Sequence, residues 1–322
     1  VGDFTWPWYE PVCADALETL GHSVYRFRYF ENFFYWKEGL TEPLHNSFWS
    51  RLQNRFSIGP LIYKINNQLL SRCAELKPDI VWIYNSRFIY PETIKKIRIF
   101  SPTTKFALYS NDNPFSLSAM PLFWWNFLRS IPEYDVHFCY RHSNFEDYRR
   151  YGADNIKLLR SYYIPQEDYH IESSKIPQRF ICDVVFAGHF ENDGRIEMLE
   201  SICKKGYKVN IFGGGWDAAL SELSIDSPLR SQYPIKPVTG EDYRYAICGA
   251  KVALCFLSTL NRDTYTRRSF QIPAMRVAML SQYTEDLESL YVPNVEALFF
   301  KNNEELLNNL GLLISNDSMR ES

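Results

Sequence analysis

Asp79-Ile80-Val81-Trp82-Ile83-Tyr84 carries one charge at its start and an unbroken apolar run behind it. A strand with one wet face alternates polar and apolar side chains. This stretch does not alternate, so it predicts a strand covered on both faces, as in a parallel sheet with helices above and below. Its neighbours agree. Gly59 to Leu76 reads as a helix leading into it, and Pro91 opens the helix that follows, at a position where proline loses no hydrogen bond. Lys105 to Ser110, Asp135 to Tyr140 and Ile156 to Leu159 repeat the strand signal, with helical stretches between them. Upstream, Val1-Gly2 leads through a loop to a helix from Glu10 to Leu20, closed by Gly21, and His22 to Tyr29 reads as a strand.

The rhythm pauses at Tyr163 to Arg179, where Pro165 and Pro177 bracket a polar stretch, and then restarts. Strands are predicted at Asp183 to Ala187, Lys208 to Phe212, Lys251 to Leu257 and Val277 to Ser281. Helices are predicted at Arg195 to Lys205, Glu241 to Cys248 and Arg267 to Met275, and the segments Thr284 to Leu290, Ala297 to Phe300 and Asn303 to Ile314 complete the alternation. The expected fold class is α/β, with two Rossmann-like doubly wound domains facing a cleft. The boundaries fall at 1–164 for the first domain, 165–180 for a linker and 181–322 for the second domain. The opening Val1-Gly2-Asp3 without Met, and the polar Ser315 to Ser322 end, lead us to expect a truncated first strand and a truncated C-terminal end.

Composition narrows the function classes. Of 322 residues, 46% are apolar and 23% charged, which suits globular domains and argues against disorder. A net charge of -3 gives no basic footprint for a nucleic-acid partner. No apolar run is long enough to cross a bilayer. The seven cysteines are scattered singly, without metal-ligand spacing, so a reduced cytoplasmic protein is expected.

Three strand ends in the second half invite an anion. Gly188 follows Phe186-Ala187, lets a ligand approach the backbone, and precedes the helix that carries Arg195, a candidate phosphate contact. Arg267-Arg268 stand at a predicted helix start, where the helix dipole prefers negative charge, so an anion between them and the strand end would explain them. Arg262 adds positive potential in the same loop, while Asp263 or Glu285 would be the partners on a plain surface helix. Third, Gly213-Gly214-Gly215-Trp216 permits close backbone approach, with Trp216 able to close over a ligand or the glycines merely to turn. It is not a phosphate-binding Walker loop, and no GxGxxG joins a strand to a helix. In the first half, Asp3 in the Gly2–Glu10 loop and Asp112 in the Tyr109–Phe115 loop are candidate bases for deprotonating a hydroxyl. Both could equally be turn formers or caps.

With these residues on the page, the second half resembles the CgeB-like, spore-maturation branch of the GT-B fold glycosyltransferases, within the glycosyltransferase group 1 family. The likeness rests on Val184-Val185-Phe186-Ala187-Gly188 with Arg195, and on Thr266-Arg267-Arg268-Ser269-Phe270-Gln271-Ile272-Pro273-Ala274. It runs on through Ala278-Met279-Leu280, Glu296-Ala297-Leu298-Phe299-Phe300 and Asn303-Glu304-Glu305-Leu306. The first half is similar more loosely, through Lys77-Pro78-Asp79-Ile80-Val81 and Asn111-Asp112-Asn113-Pro114. The resemblance implies a nucleotide-sugar donor, taken as a UDP-sugar, bound by Gly188, Arg195, Gly240, Arg267, Arg268 and Gln271. It implies a glycan or related acceptor in the first domain, where Trp6 and Tyr9 are the candidate contacts, with no metal and no cofactor. Gln271 departs from the family pattern, which usually has a glutamate there to hold the ribose hydroxyls. The amide keeps hydrogen-bonding capacity and loses the charge. A non-catalytic nucleotide- or glycan-binding module and a sugar-nucleotide epimerase are the alternatives.

Aromatics make up 16% of the chain and concentrate in Phe27 to Trp49 and Phe123-Trp124-Trp125. Rings stack on sugars and sit at membrane interfaces. The plainer reading, rings packed on their own domain or on a second subunit, is slightly favoured, and a peripheral membrane or homo-oligomer contact through residues 27–49 is the alternative.

Overall fold

The computed structural model describes residues 1–37, 43–85, 87–116 and 121–321, so part of the aromatic segment, residues 38–42, lies outside the described residues. The chain folds as two compact units, Val1–Arg160 and Ser161–Ser322.

In the first unit the elements run α1 (Glu10–Thr19), β1 (Phe34–Tyr35), β2 (Leu44–His45), α2 (Phe48–Phe56), α3 (Pro60–Leu76), β3 (Ile80–Tyr84) and α4 (Pro91–Phe100). They continue β4 (Lys105–Ser110), α5 (Pro121–Ser130), β5 (Val136–Cys139), α6 (Phe145–Arg150) and β6 (Ile156–Leu158). The strands β3-β4-β5-β6 form a parallel sheet in that order, with β3 and β4 in register from Ile80↔Lys105 to Tyr84↔Tyr109. The run that predicted a doubly covered strand is buried at Val81, Ile83 and Tyr84, while Ile80 at its mouth is 61% exposed. Helices α3 and α4 bury Ile62, Ile65, Ile94 and Ile97 in the same core. Beyond β3, Tyr84 N donates to Val1 O at 2.9 Å and Gly2 bridges Arg28 in parallel fashion. Chain order therefore reverses here, with Val1-Gly2 on one side of β3 and β4 on the other. The expected strand His22 to Tyr29 is corrected to this single bridge at Arg28.

The second unit runs β7 (Cys182–Ala187), α7 (Arg195–Lys204), β8 (Val209–Phe212), α8 (Trp216–Ala219), α9 (Gly240–Cys248) and β9 (Ala250–Cys255). It ends with α10 (Arg268–Ala274), β10 (Ala278–Gln282), α11 (Glu285–Glu288), β11 (Leu298–Phe300), α12 (Asn303–Ser315) and α13 (Asp317–Glu321). Its five strands are parallel in the order β11-β10-β9-β7-β8. Val184, Phe186, Val252 and Leu254 pack under Leu199, Leu306 and Leu310 to make its core. The chain goes from β7 to β8 on one side and then crosses to β9 on the other. This reversal makes the C-terminal ends of β7 and β9 a topological switch point, the place where such sheets leave a crevice.

Residues 165–180, which the sequence sets between the halves, are bound to the second unit. His170 Nδ1 lies 2.9 Å from Met275 O, and Asp168 reaches α10.

Candidate functional site

The switch point of the second unit is built from Gly188, directly after β7, and Phe256, directly after β9. Arg268, the first residue of α10, lies between them. Its Nη2 donates to Phe256 O at 3.0 Å, and a Cβ added to Gly188 would stand 3.1 Å from its Nη1. The guanidinium carbon is 5.6 Å from the Phe186 ring centroid. Its Nε is buried and makes no hydrogen bond among the described residues. A buried donor left unmatched costs free energy, and an anionic ligand atom at the strand ends would remove that cost. Glycine at 188 keeps the approach open, since a side chain there would collide with Phe186 and crowd Arg268.

Arg267 does something different. Its Nη2 is 3.5 Å from Asp168 Oδ2, an acidic neighbour from the connecting segment. Asp168 is 4% exposed, accepts Ile164 N at 2.8 Å and accepts Gln271 Nε2 at 2.7 Å. Gln271 Oε1 in turn accepts Tyr243 OH at 3.1 Å. Burial pushes the Tyr243 hydroxyl above its ordinary pKa, so it stays a donor through the neutral range. Gln271 is thus held on both sides, and a glutamate there would set its carboxylate against Asp168. This accounts for the amide. Asp168 was invisible in the sequence because its partner is 103 residues away and its own neighbourhood reads as polar connection.

Arg195 lies at the same strand ends, its guanidinium carbon 5.6 Å from the Phe186 ring centroid and 5.8 Å from that of Phe256. Only 4% exposed, it grips both oxygens of Asp193 (Nε to Oδ1 2.7 Å, Nη2 to Oδ2 2.6 Å) and donates Nη1 to His189 O. The guanidinium that the sequence offered to a phosphate is occupied with shaping the loop after β7. Trp216 is corrected as well: it is 1% exposed, and its Nε1 donates to Gly188 O at 3.0 Å, so it supports Gly188 from the core. Gly213 closes that contact, since a Cβ there would fall 1.9 Å from Gly188 O. Gly240 opens α9 with φ +56 and nothing within 4 Å of an added Cβ, three residues before Tyr243. Arg262 is exposed in the loop after β9, at φ 55.

In the first unit the reversal of chain order gathers carboxylates. Asp3 Oδ1 accepts Thr5 N at 2.8 Å, a local turn. Asp112 is exposed and accepts Asn85 Nδ2 at 2.8 Å, while Ser110 Oγ donates to Asn85 Oδ1 at 2.6 Å, tying the ends of β3 and β4 together. Glu10 is the carboxyl the sequence missed. It is 8% exposed, and a Cβ on Gly2 would come within 2.6 Å of its Cγ. Burial first, and the nearby Asp3 charge second, push its pKa up to about 7. An acid in the first turn of a helix looks ordinary in a sequence, which hid it. Trp6 and Tyr9 lie on the same loop. Trp6 stacks on Trp8 with centroids 5.2 Å apart and meets Trp36 edge-on at 5.8 Å, while Tyr9 is 6.1 Å from Tyr84. Among the described residues no group of three or more His, Cys, Asp or Glu is arranged to hold a metal ion.

Residues 195–322 match the family model described as glycosyl transferase-like. The chain resembles Anabaena HepE in complex with UDP-glucose, with a TM-score of 0.58 at 10% identity, covering 82% of this chain and 76% of that one. The fold is GT-B. Two trehalose-phosphate synthases share the GT-B likeness. The alpha,alpha-trehalose 6-phosphate synthase of Burkholderia multivorans gives a TM-score of 0.54 at 10% identity, covering 81% of this chain and 68% of that one. The UDP-forming synthase of Burkholderia xenovorans gives 0.53 at 10% identity, covering 82% and 73%. No curated protein sequence matches the chain.

Proposed function

We propose that this GT-B chain transfers a sugar from a nucleotide diphosphate-sugar, taken as a UDP-sugar, to a glycan or related acceptor. The observation that carries the proposal is Arg268, whose Nε is buried without a hydrogen-bond partner among the described residues at the β7/β9 switch point. In such a transfer the bond from the anomeric carbon to the diphosphate breaks, and negative charge collects on the leaving oxygen. A guanidinium fixed beside a glycine is the group that stabilises it. Support also comes from the glycosyl transferase-like match over residues 195–322, which includes α10.

Gly188 would admit the diphosphate, and Gln271, braced by Asp168 and Tyr243, would face the ribose side. Arg195 would act through the loop it holds. If the reaction inverts configuration it needs a base for the acceptor hydroxyl, and Glu10, with its pKa near 7, suits that role better than Asp112 or Asp3. Trp6 and Tyr9 would border the acceptor. No metal or cofactor has a role in this proposal, and a cytoplasmic place in polysaccharide biosynthesis remains part of it.

A second reading has its own observation. Gln271 is engaged by two protein groups, so a nucleotide-binding module without transfer is the rival. The test is a thermal-shift screen of sugar nucleotides, followed by product analysis with and without glycan acceptors. We expect stabilisation by one donor class and acceptor-dependent release of its nucleotide diphosphate. Stabilisation without product would establish the module, an altered sugar from donor alone would establish an epimerase, and no stabilisation by any donor would refute all three.

A further inference from the structure

From Pro43 to Ala74 the chain contains no aspartate or glutamate, although the protein as a whole has a net charge of -3. That acid-free stretch holds α2, whose sequence is Phe-Trp-Ser-Arg-Leu-Gln-Asn-Arg-Phe. Ser47 caps the helix, with Ser47 Oγ accepting Ser50 N at 3.0 Å and Ser50 Oγ accepting Ser47 N at 2.9 Å. This capping box fixes the first turn, so Phe48 and Trp49 are held in place rather than fraying. They are 67% and 70% exposed. Large rings at such exposure on two adjacent positions are unfavourable in water and mark an interaction surface. Arg51 and Arg55 stand one turn apart on the same helix, and both are exposed.

Helix α5 packs on the C-terminal end of α2. Asn126 Nδ2 donates to Ser57 O at 2.7 Å and Ser57 Oγ donates to Phe123 O at 3.2 Å, which joins α5 to the end of α2. Helix α5 adds Leu122 at 63% and Trp125 at 51% exposure, and Asn113 to Pro132 is again without an acidic residue. The upstream rings of the aromatic segment are different: Phe27, Tyr29, Phe30 and Phe33 are all in the core. The exposed rings Phe48 and Trp49 are followed on the same helix by Arg51 and Arg55.

We propose that this face docks on a bilayer surface rich in anionic phospholipid headgroups. Tryptophan and phenylalanine with arginine alongside are the side chains that settle at the headgroup boundary, rings inserted and guanidinium groups on phosphate. The helix of nine residues lies on such a surface rather than crossing it, and no helix among the described residues is long and apolar enough to cross a membrane. A second copy of the chain fits less well, because a two-fold contact through α2 would set Arg51 and Arg55 near their own counterparts. The proposal is independent of the glycosyltransferase reading.

The experiment is co-sedimentation of the full chain with phosphatidylcholine vesicles and with vesicles of equal parts phosphatidylcholine and phosphatidylglycerol, at low and high salt. Binding to the anionic vesicles alone is expected, weakened at least tenfold by high salt. Phe48→Ser with Trp49→Ser, and separately Arg51→Glu with Arg55→Glu, should each weaken it at least tenfold with unchanged circular dichroism. No binding, equal binding to both vesicle types, or binding that both variants retain would overturn the proposal. So would a dimer, seen by sedimentation equilibrium, that the ring variant dissociates.

Discussion

At the strand ends of the second sheet a guanidinium, Arg268, stands between Gly188 and Phe256. At the strand ends of the first a carboxyl, Glu10, lies packed on Gly2. Both positions sit where chain order reverses in a parallel sheet, the place where such a topology favours a crevice. The residues placed in them differ in what they can do. An arginine stays charged at any accessible pH and can only attract an anion. A buried carboxyl near pH 7 changes charge where cells live and can move a proton. A shared architecture therefore sets where chemistry is placed, and one side chain at each crevice sets its kind.

The sharpest way to break the comparison is to collapse one crevice. Gly213→Ala sets a methyl 1.9 Å from Gly188 O at a φ of +153. It should destabilise the second unit by about 3 kcal/mol or more, read as a lowered urea midpoint. Next is the brace behind α10. Asp168→Ala removes the acceptor of Gln271 Nε2 and Ile164 N and the carboxylate that faces Arg267, and should cost about 2–4 kcal/mol by the same measurement.

Glu10 sharpens the other side. Its folded pKa of about 7 lies above the ordinary 4.5, so the unfolded chain ionises first as pH rises. Stability is therefore lost progressively between those values and stays lower above pH 7. Glu10→Gln should remove that dependence and leave the protein more stable than wild type at pH 8, by roughly 2–3 kcal/mol, and indistinguishable at pH 4. A flat difference across that range would show that Glu10 is not a buried acid. The smallest effect belongs to Asp112, exposed and bonded to Asn85. Asp112→Asn should shift stability by less than about 0.5 kcal/mol.

Much of the sheet architecture was legible in the sequence because apolar runs and helix punctuation are local signals. The strand at 79–84, the helix opened by Pro91 and the Arg-Arg helix start all come from neighbours in the chain. His22 to Tyr29 has the composition of a strand, but it finds only a bridge at Arg28, and pairing depends on what lies alongside. The site was less legible for a related reason. Arg195 and Arg268 look alike as letters. One is neutralised by Asp193 two residues earlier, and the other meets a carbonyl and a ring. Asp168 and Gln271 meet across 103 residues, a distance no local pattern spans.

Calorimetric titration of UDP into the wild-type chain and into Arg268→Ala tests the central claim most directly. The account predicts measurable binding to wild type, weakened at least tenfold in the variant, with both proteins unfolding at the same urea concentration. Equal affinity in two equally folded proteins would contradict it.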